Sequence, residues 1–100
     1  DQRMARAWVN FNGTGTVAIR SSYNVSSITD HGTGLHSANF ATAIIADYSV
    51  SATAWNPASF TTGGASAQGR NTTNVLLRSA NPAGTALLDS EYFDVIVFGS

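Results

Sequence analysis

The sequence predicts an all-β domain, a small antiparallel β-sandwich, and three observations carry that prediction. Val, Ile, Thr and aromatic side chains are frequent, with 10% Phe, Trp and Tyr, and these shapes suit a pleated, half-buried surface. Apolar positions alternate in short runs with a period of two rather than recurring at helical spacing. Charged residues make up only 11% of the chain and lysine is absent, so the charged outer faces of long surface helices are missing.

The elements follow in order. Ala5 to Phe11 alternates as a strand, with Ala7, Val9 and Phe11 on one face and Trp8 and Asn10 on the other. Asn12-Gly13-Thr14-Gly15 is a tight turn, because Asn-Gly tolerates positive φ. Thr16 to Tyr23 is the return strand, with Val17, Ile19 and Ser21 opposite Ala18 and Arg20. Val25 to Thr29 and Leu35 to Phe40 form a second hairpin around Asp30-His31-Gly32-Thr33-Gly34. Ala41 to Ala46 is a linker, and Asp47 to Trp55 alternates again as a strand. Asn56 to Gly69, rich in small residues with Pro57 and Gly63-Gly64, is the longest loop expected, and ordered loops of that length often carry function. Thr72 to Ser79 is a strand, Asn81-Pro82-Ala83-Gly84 a turn and Glu91 to Phe98 the last strand.

Two of these strands are apolar on both faces, through Val75-Leu76-Leu77 and Val95-Ile96-Val97-Phe98. A half-buried strand alternates, so a cover on each face is expected, supplied by another subunit or by a local loop. A 100-residue chain builds one domain, residues 1–100, with a thin core, which favours help from a neighbouring subunit. Asp1 at the start is no initiator, so the chain is expected to be a fragment or processed end of a longer protein.

Composition also narrows function. A net charge of -1 lacks the basic patch that phosphate neutralisation requires, so nucleic acid is not expected as a partner. There is no cysteine, hence neither a disulfide framework nor a thiolate metal site. No apolar run is long enough for membrane insertion by a helix.

The run Ala7-Trp8-Val9-Asn10-Phe11-Asn12-Gly13-Thr14-Gly15-Thr16-Val17-Ala18-Ile19-Arg20, continuing through Ser21 to Asp30, then Gly32-Thr33-Gly34 and Asn39-Phe40, resembles a module common in the C-terminal parts of phage tail fibres, notably from phages of marine and other environmental bacteria. The apolar last strand with its small-residue ending, Gly99-Ser100, is similar to that module too. The resemblance covers the first half of the chain and is loose from Trp55 to Asp89. It departs at His36, where the module usually carries Tyr. The resemblance implies a homotrimeric, β-rich fibre tip in the virion that adheres to a host cell-surface glycan or outer-membrane protein without cleaving it. The alternatives are a purely structural trimerisation or virion decoration domain, and a fragment of a polysaccharide depolymerase.

The candidate ligand-binding residues are Trp55, Asn56, Phe60 and Arg70, at and beyond the mouth of the expected loop. A Trp face stacks on a sugar ring while Asn and Arg supply hydrogen bonds; the competing reading is a buried Trp at the end of a core strand. His31 and His36 flank the second turn, with Asp30 beside them, and are the candidate metal ligands. Some tail-fibre tips bind metal through His-x-His strands; this chain has none, and the reading taken is two polar turn residues with no metal and no cofactor.

Catalysis is not expected. Glycosidases place two carboxyls roughly 5–10 Å apart across a sugar. Asp89, Glu91 and Asp94 cluster near the last strand, but the odd spacing of Glu91 and Asp94 sends them to opposite faces. No Gly-x-Ser-x-Gly elbow and no phosphate loop are present. The three Asn-x-Ser/Thr triplets at Asn12, Asn24 and Asn71 read as ordinary turn and strand residues. Arg20, polar within a β-like strand, is expected to pair with Asp30, Asp47 or Asp94.

Overall fold

A computed structural model of the chain describes residues 5–45, 48–56, 61–80, 87 and 89–99. Eight strands follow one another, with no helix among the described residues: β1 (Ala5–Asn12), β2 (Ala18–Tyr23), β3 (Val25–Gly32), β4 (Leu35–Phe40), β5 (Ser49–Asn56), β6 (Thr61–Arg70), β7 (Asn74–Ala80) and β8 (Tyr92–Phe98). Every pairing is antiparallel, in the order β2-β1-β8-β5-β6-β7-β4-β3. This continuous ribbon folds over on itself, so that β2-β1-β8-β5 packs face to face with β6-β7-β4-β3. β6 serves both layers: Thr61 to Gly63 pair with β5, and Gly64 to Arg70 pair with β7. The change of partner falls at Gly63-Gly64, where no side chain obstructs a corner.

The core is the inward half of each alternation. β1 contributes Ala7, Val9 and Phe11, β8 contributes Phe93, Val95 and Val97, and β5 contributes Ala54. Val25 of β3, Ala38 and Phe40 of β4, and Val75 and Leu77 of β7 close it from the other sheet. Phe11 and Phe93 stack across the β1–β8 pair with centroids 5.0 Å apart, and both meet the His36 ring from the opposite sheet edge-on. Neighbouring large side chains on two facing sheets thus interdigitate, which is how a sandwich fills its interior.

The two predicted hairpins form, one in each layer. Asn24 is the only residue between β2 and β3, so it carries the chain from one sheet to the other. Its φ is 55°, a left-handed conformation that Asn tolerates better than most residues. Its amide donates to the carbonyls of Arg6 (3.2 Å) and Thr42 (3.0 Å), while its Oδ1 accepts from the Thr42 backbone N–H (2.7 Å).

The first turn differs from expectation in detail. Positive φ falls on Gly15 (57°), not on Asn12-Gly13. Asn12 instead uses its Oδ1 to accept from the backbone N–H (2.9 Å) and hydroxyl (2.6 Å) of Thr14, a side-chain-built turn.

Two expectations need correction. Asn56 to Gly69 is not one long loop: from Thr61 onward it is strand β6. Small residues look loop-like in sequence, but β6 is paired along its length, and Ala65 and Ala67 pack against the core. Pro57 and Phe60, and the Asn81 to Gly84 turn, lie outside the described residues. Second, the clean alternation assigned to β2 is broken. Asn10 pairs with Ser21 and Phe11 with Ile19, so Arg20 is the extra residue of a bulge; Ile19 packs on the core while Arg20 and Ser21 are both exposed. The second faces of β7 and β8, for which a cover from another subunit or a local loop was expected, gain no local cover among the described residues: Leu76, Ile96 and Phe98 are 36–41% exposed.

Candidate functional site: the outer face of the β2-β1-β8-β5 sheet

Because side chains alternate along a strand, burying Phe93, Val95 and Val97 obliges Tyr92, Asp94, Ile96 and Phe98 to face outward. The register then lines them up with their neighbours. Trp8 pairs with Ile96 and Tyr23, Asn10 with Asp94, and Trp55 with Tyr92. The resulting face has two ends.

One end is apolar. Trp8, Ile96 and Phe98, each more than a third exposed, line a groove of about 560 Å³ together with Ala5, Asn10 and Asp94. An outward cluster of large apolar groups on a small domain is a feature of interaction surfaces.

The other end is aromatic and polar. Trp55 is 46% exposed and its ring centroid lies 5.7 Å from that of Tyr92, tilted by 30°. Arg20 reaches from β2 across β1 and places its guanidinium carbon 4.1 Å from the centre of the Tyr92 ring, within cation–π range. Its Nη1 donates to Asn10 Oδ1 at 3.3 Å, and the Asn10 amide donates in turn to Asp94 Oδ1. Arg20 and Asp94, expected as a possible direct pair, are therefore joined through Asn10. The row Arg20–Tyr92–Trp55, with Asn10 and Asp94 alongside, combines a flat ring surface, donors and an acceptor on rigid strands.

The sequence-derived ligand candidates separate. Trp55 sits on this face and is exposed, as stacking requires. Asn56 ends β5 beside it, and Phe60 lies outside the described residues. Arg70 is exposed at the far end of β6, eight residues beyond Thr62, the partner of Trp55, and in the part of the strand that pairs with β7 rather than β5. The structure does not bring Arg70 to Trp55; it brings Arg20 and Tyr92 instead. The alternation of β8 made Tyr92 findable. Arg20 was not, because the bulge that aims it is a tertiary feature.

The histidines also separate. His31 is exposed and its Nε2 is 2.6 Å from Ser37 Oγ on the outer face of the second sheet, beside a groove of about 360 Å³ that Leu35, Gln68 and Leu76 also line. His36 points inward, 1% exposed, with its Nε2 3.9 Å from Asp30 Oδ1. Neither of its ring nitrogens has a hydrogen-bond partner among the described residues. No group of three potential metal ligands occurs among the described residues.

The three carboxylates near β8 take separate roles. Asp89 Oδ1 accepts from the Gly34 N–H at 2.8 Å, Asp94 is engaged by Asn10, and Glu91 lies in the bend before β8.

Fold and face together define a small all-β antiparallel sandwich with one sheet face open and aromatic. Comparison of the chain with protein-family models, with curated proteins and with solved structures finds no match.

Proposed function

We propose that the chain is the non-catalytic tip domain of a phage tail fibre, which binds a host cell-surface glycan through the outer face of the β2-β1-β8-β5 sheet and acts as a homotrimer. The observation that carries the glycan reading is the Arg20–Tyr92–Trp55 row beside Asn10 and Asp94. A sugar presents a patch of C–H groups on one side and hydroxyls around its rim. An exposed indole suits the first, and guanidinium, amide and carboxylate groups suit the second. The resemblance of the first two hairpins to tail-fibre modules supports the setting. The contact moves from the expected loop to a strand-built face.

The apolar end, with Trp8, Ile96 and Phe98, supports a subunit contact adjoining the sugar end. Trimer formation presents three weak sites together, which multiplies their effect on a repeating surface polymer. The groove also favours a second reading, a structural trimerisation module with recognition elsewhere.

The test is binding of the purified chain to immobilised host-surface polysaccharide, alongside its solution mass. Retained mass with binding lost in Trp55→Ala supports the adhesion reading. A trimer that binds no polysaccharide, and whose addition does not compete with phage adsorption, leaves the structural reading. A monomer throughout the micromolar range overturns the homotrimer.

A further inference from the structure

We infer that this face selects an acidic sugar, with the Arg20 guanidinium taking the carboxylate and Trp55 taking the ring. The inference rests on the glycan reading above and adds the charge of the ligand.

Among the described residues Arg20 is a cation without a counter-ion. Among the described residues it makes no ion pair with a carboxylate, and its one hydrogen bond is to the neutral Asn10 Oδ1. The acid on the same face, Asp94, is engaged by the Asn10 amide. Asn10 therefore stands as a spacer that keeps the two charges from neutralising each other. A guanidinium has five N–H donors in its plane, so most remain for a ligand.

The same residue is also held in place. The Tyr92 ring lies 4.1 Å from the guanidinium carbon, and the bulge at Arg20 sends the side chain over β1 toward it. Stacking on an aromatic face leaves the edge of the guanidinium fork free for bidentate contact with a carboxylate, and it reduces the entropy lost when that contact forms. A free surface Arg has neither advantage.

Trp55 completes the site from the other side of Tyr92. The guanidinium carbon and the indole centre are each measured from the Tyr92 centroid, at 4.1 and 5.7 Å, so they are no farther apart than those distances laid end to end. One sugar acid, or two linked ones, spans that gap. An acidic peptide has the carboxylate but no rigid C–H face for the exposed indole, so the sugar acid is the better match.

The experiment uses the intact chain and three probes: oligogalacturonate, oligomannuronate and the methyl glycoside of N-acetylneuraminic acid, each paired with its carboxyl methyl ester. Titration calorimetry or ligand-observed NMR reads the affinity. At least one acid is expected to bind about tenfold or more tighter than its own ester, as a charge-assisted hydrogen bond implies, and to weaken as salt rises. Arg20→Met should bring the acid down to its ester, Arg20→Lys should restore part of the preference, and Trp55→Ala should weaken acid and ester alike. Unchanged thermal midpoints establish that the variants fold. If an ester binds as well as its acid, or if the preference survives Arg20→Met, the acidic-sugar inference falls while the glycan reading stands. If no sugar binds but oligoglutamate does, with Trp55→Ala without effect, both fall together. Binding confined to neutral sugars and lost in Trp55→Ala removes only the charge.

Discussion

The Gly13 N–H donates to the Ser90 carbonyl at 2.9 Å, and a Cβ built on Gly13 would stand 3.1 Å from that same oxygen. The hydrogen bond draws the backbone toward the atom that a side chain would strike. The His36 ring, 3.4 Å from the same point, closes the other side.

Gly13→Ala is therefore expected to destabilise the domain by about 1–2 kcal/mol, the usual cost of overpacking, despite the entropy it removes from the unfolded chain. Gly15 is a contrast: nothing lies within 4 Å of its would-be Cβ, but its φ is +57°. Gly15→Asn should be nearly neutral and Gly15→Ala should cost about 1 kcal/mol, since Asn visits left-handed backbone more readily. Urea midpoints of the four proteins, wild type included, check both; an unaffected Gly13→Ala would mean that Ser90 and His36 give way.

His36 buries an imidazole whose two nitrogens find no hydrogen-bond partner among the described residues. An apolar side chain of similar volume removes that desolvation cost, so His36→Leu is expected to raise stability by about 1 kcal/mol. Denaturant unfolding checks it. A clear loss would show that the ring contributes more through Phe11, Phe93 and Asp30 than its unpaired nitrogens cost.

Tyr48 packs edge-on against Phe40 and its hydroxyl lies 3.0 Å from the carbonyls of both Asn71 and Asn74. Burial holds its phenol above the ordinary 10.0, and the hydrogen bond at the Asn71 backbone and the charge of Arg70 oppose this only in part. The folded state thus keeps the proton more tightly than the unfolded chain does. Its contribution is complete below the unfolded value of 10.0 and is lost as pH rises through the folded one. Tyr48→Phe should cost about 1 kcal/mol at neutral pH and flatten the alkaline decline. Urea midpoints from pH 7 upward provide the measurement; an equally steep decline in the variant would place its origin elsewhere.

Asn24 makes three side-chain bonds from a left-handed backbone at the crossing between sheets. Asn24→Gly keeps the backbone freedom and loses the bonds, whereas Asn24→Ala loses both. The expected order of thermal midpoints is wild type, then Gly, then Ala, with Ala lower by about 2 kcal/mol. Equal midpoints for Gly and Ala would mean that φ at this position carries no strain.

Ile96 faces outward between Trp8 and Ser51. Ile96→Thr should change the stability of a single subunit by no more than about 0.5 kcal/mol. It should also shift the solution mass toward monomer if the apolar end is the subunit contact. Analytical ultracentrifugation reads the mass, and an unchanged assembly would remove Ile96 from the contact.

The strands were largely legible because alternation is local. Phe11, Val9 and Ala7, or Phe93, Val95 and Val97, reveal their inward face by spacing alone, and burial confirms each of them. Alternation set Trp55 out of phase with Ala54 on its strand, but burial and exposure of its ring both stayed open in the sequence, and the structure leaves it 46% exposed. β6 was not legible: Thr61 to Arg70 has little intrinsic strand preference and is held by the pairs it makes with β5 and β7.

By itself, then, the sequence determined the all-β class, the two Gly-containing hairpins and most of the core. These depend on period-two patterning and turn chemistry within a few residues. Tertiary structure alone decided which strands become neighbours, that the outer faces of β7 and β8 lie open, and that Arg20 rather than Arg70 joins the aromatic row. Residues on β2, β1, β8 and β5 meet there through long-range register and a single bulge. Such pairings are set by how two sheets pack, and no local pattern encodes them.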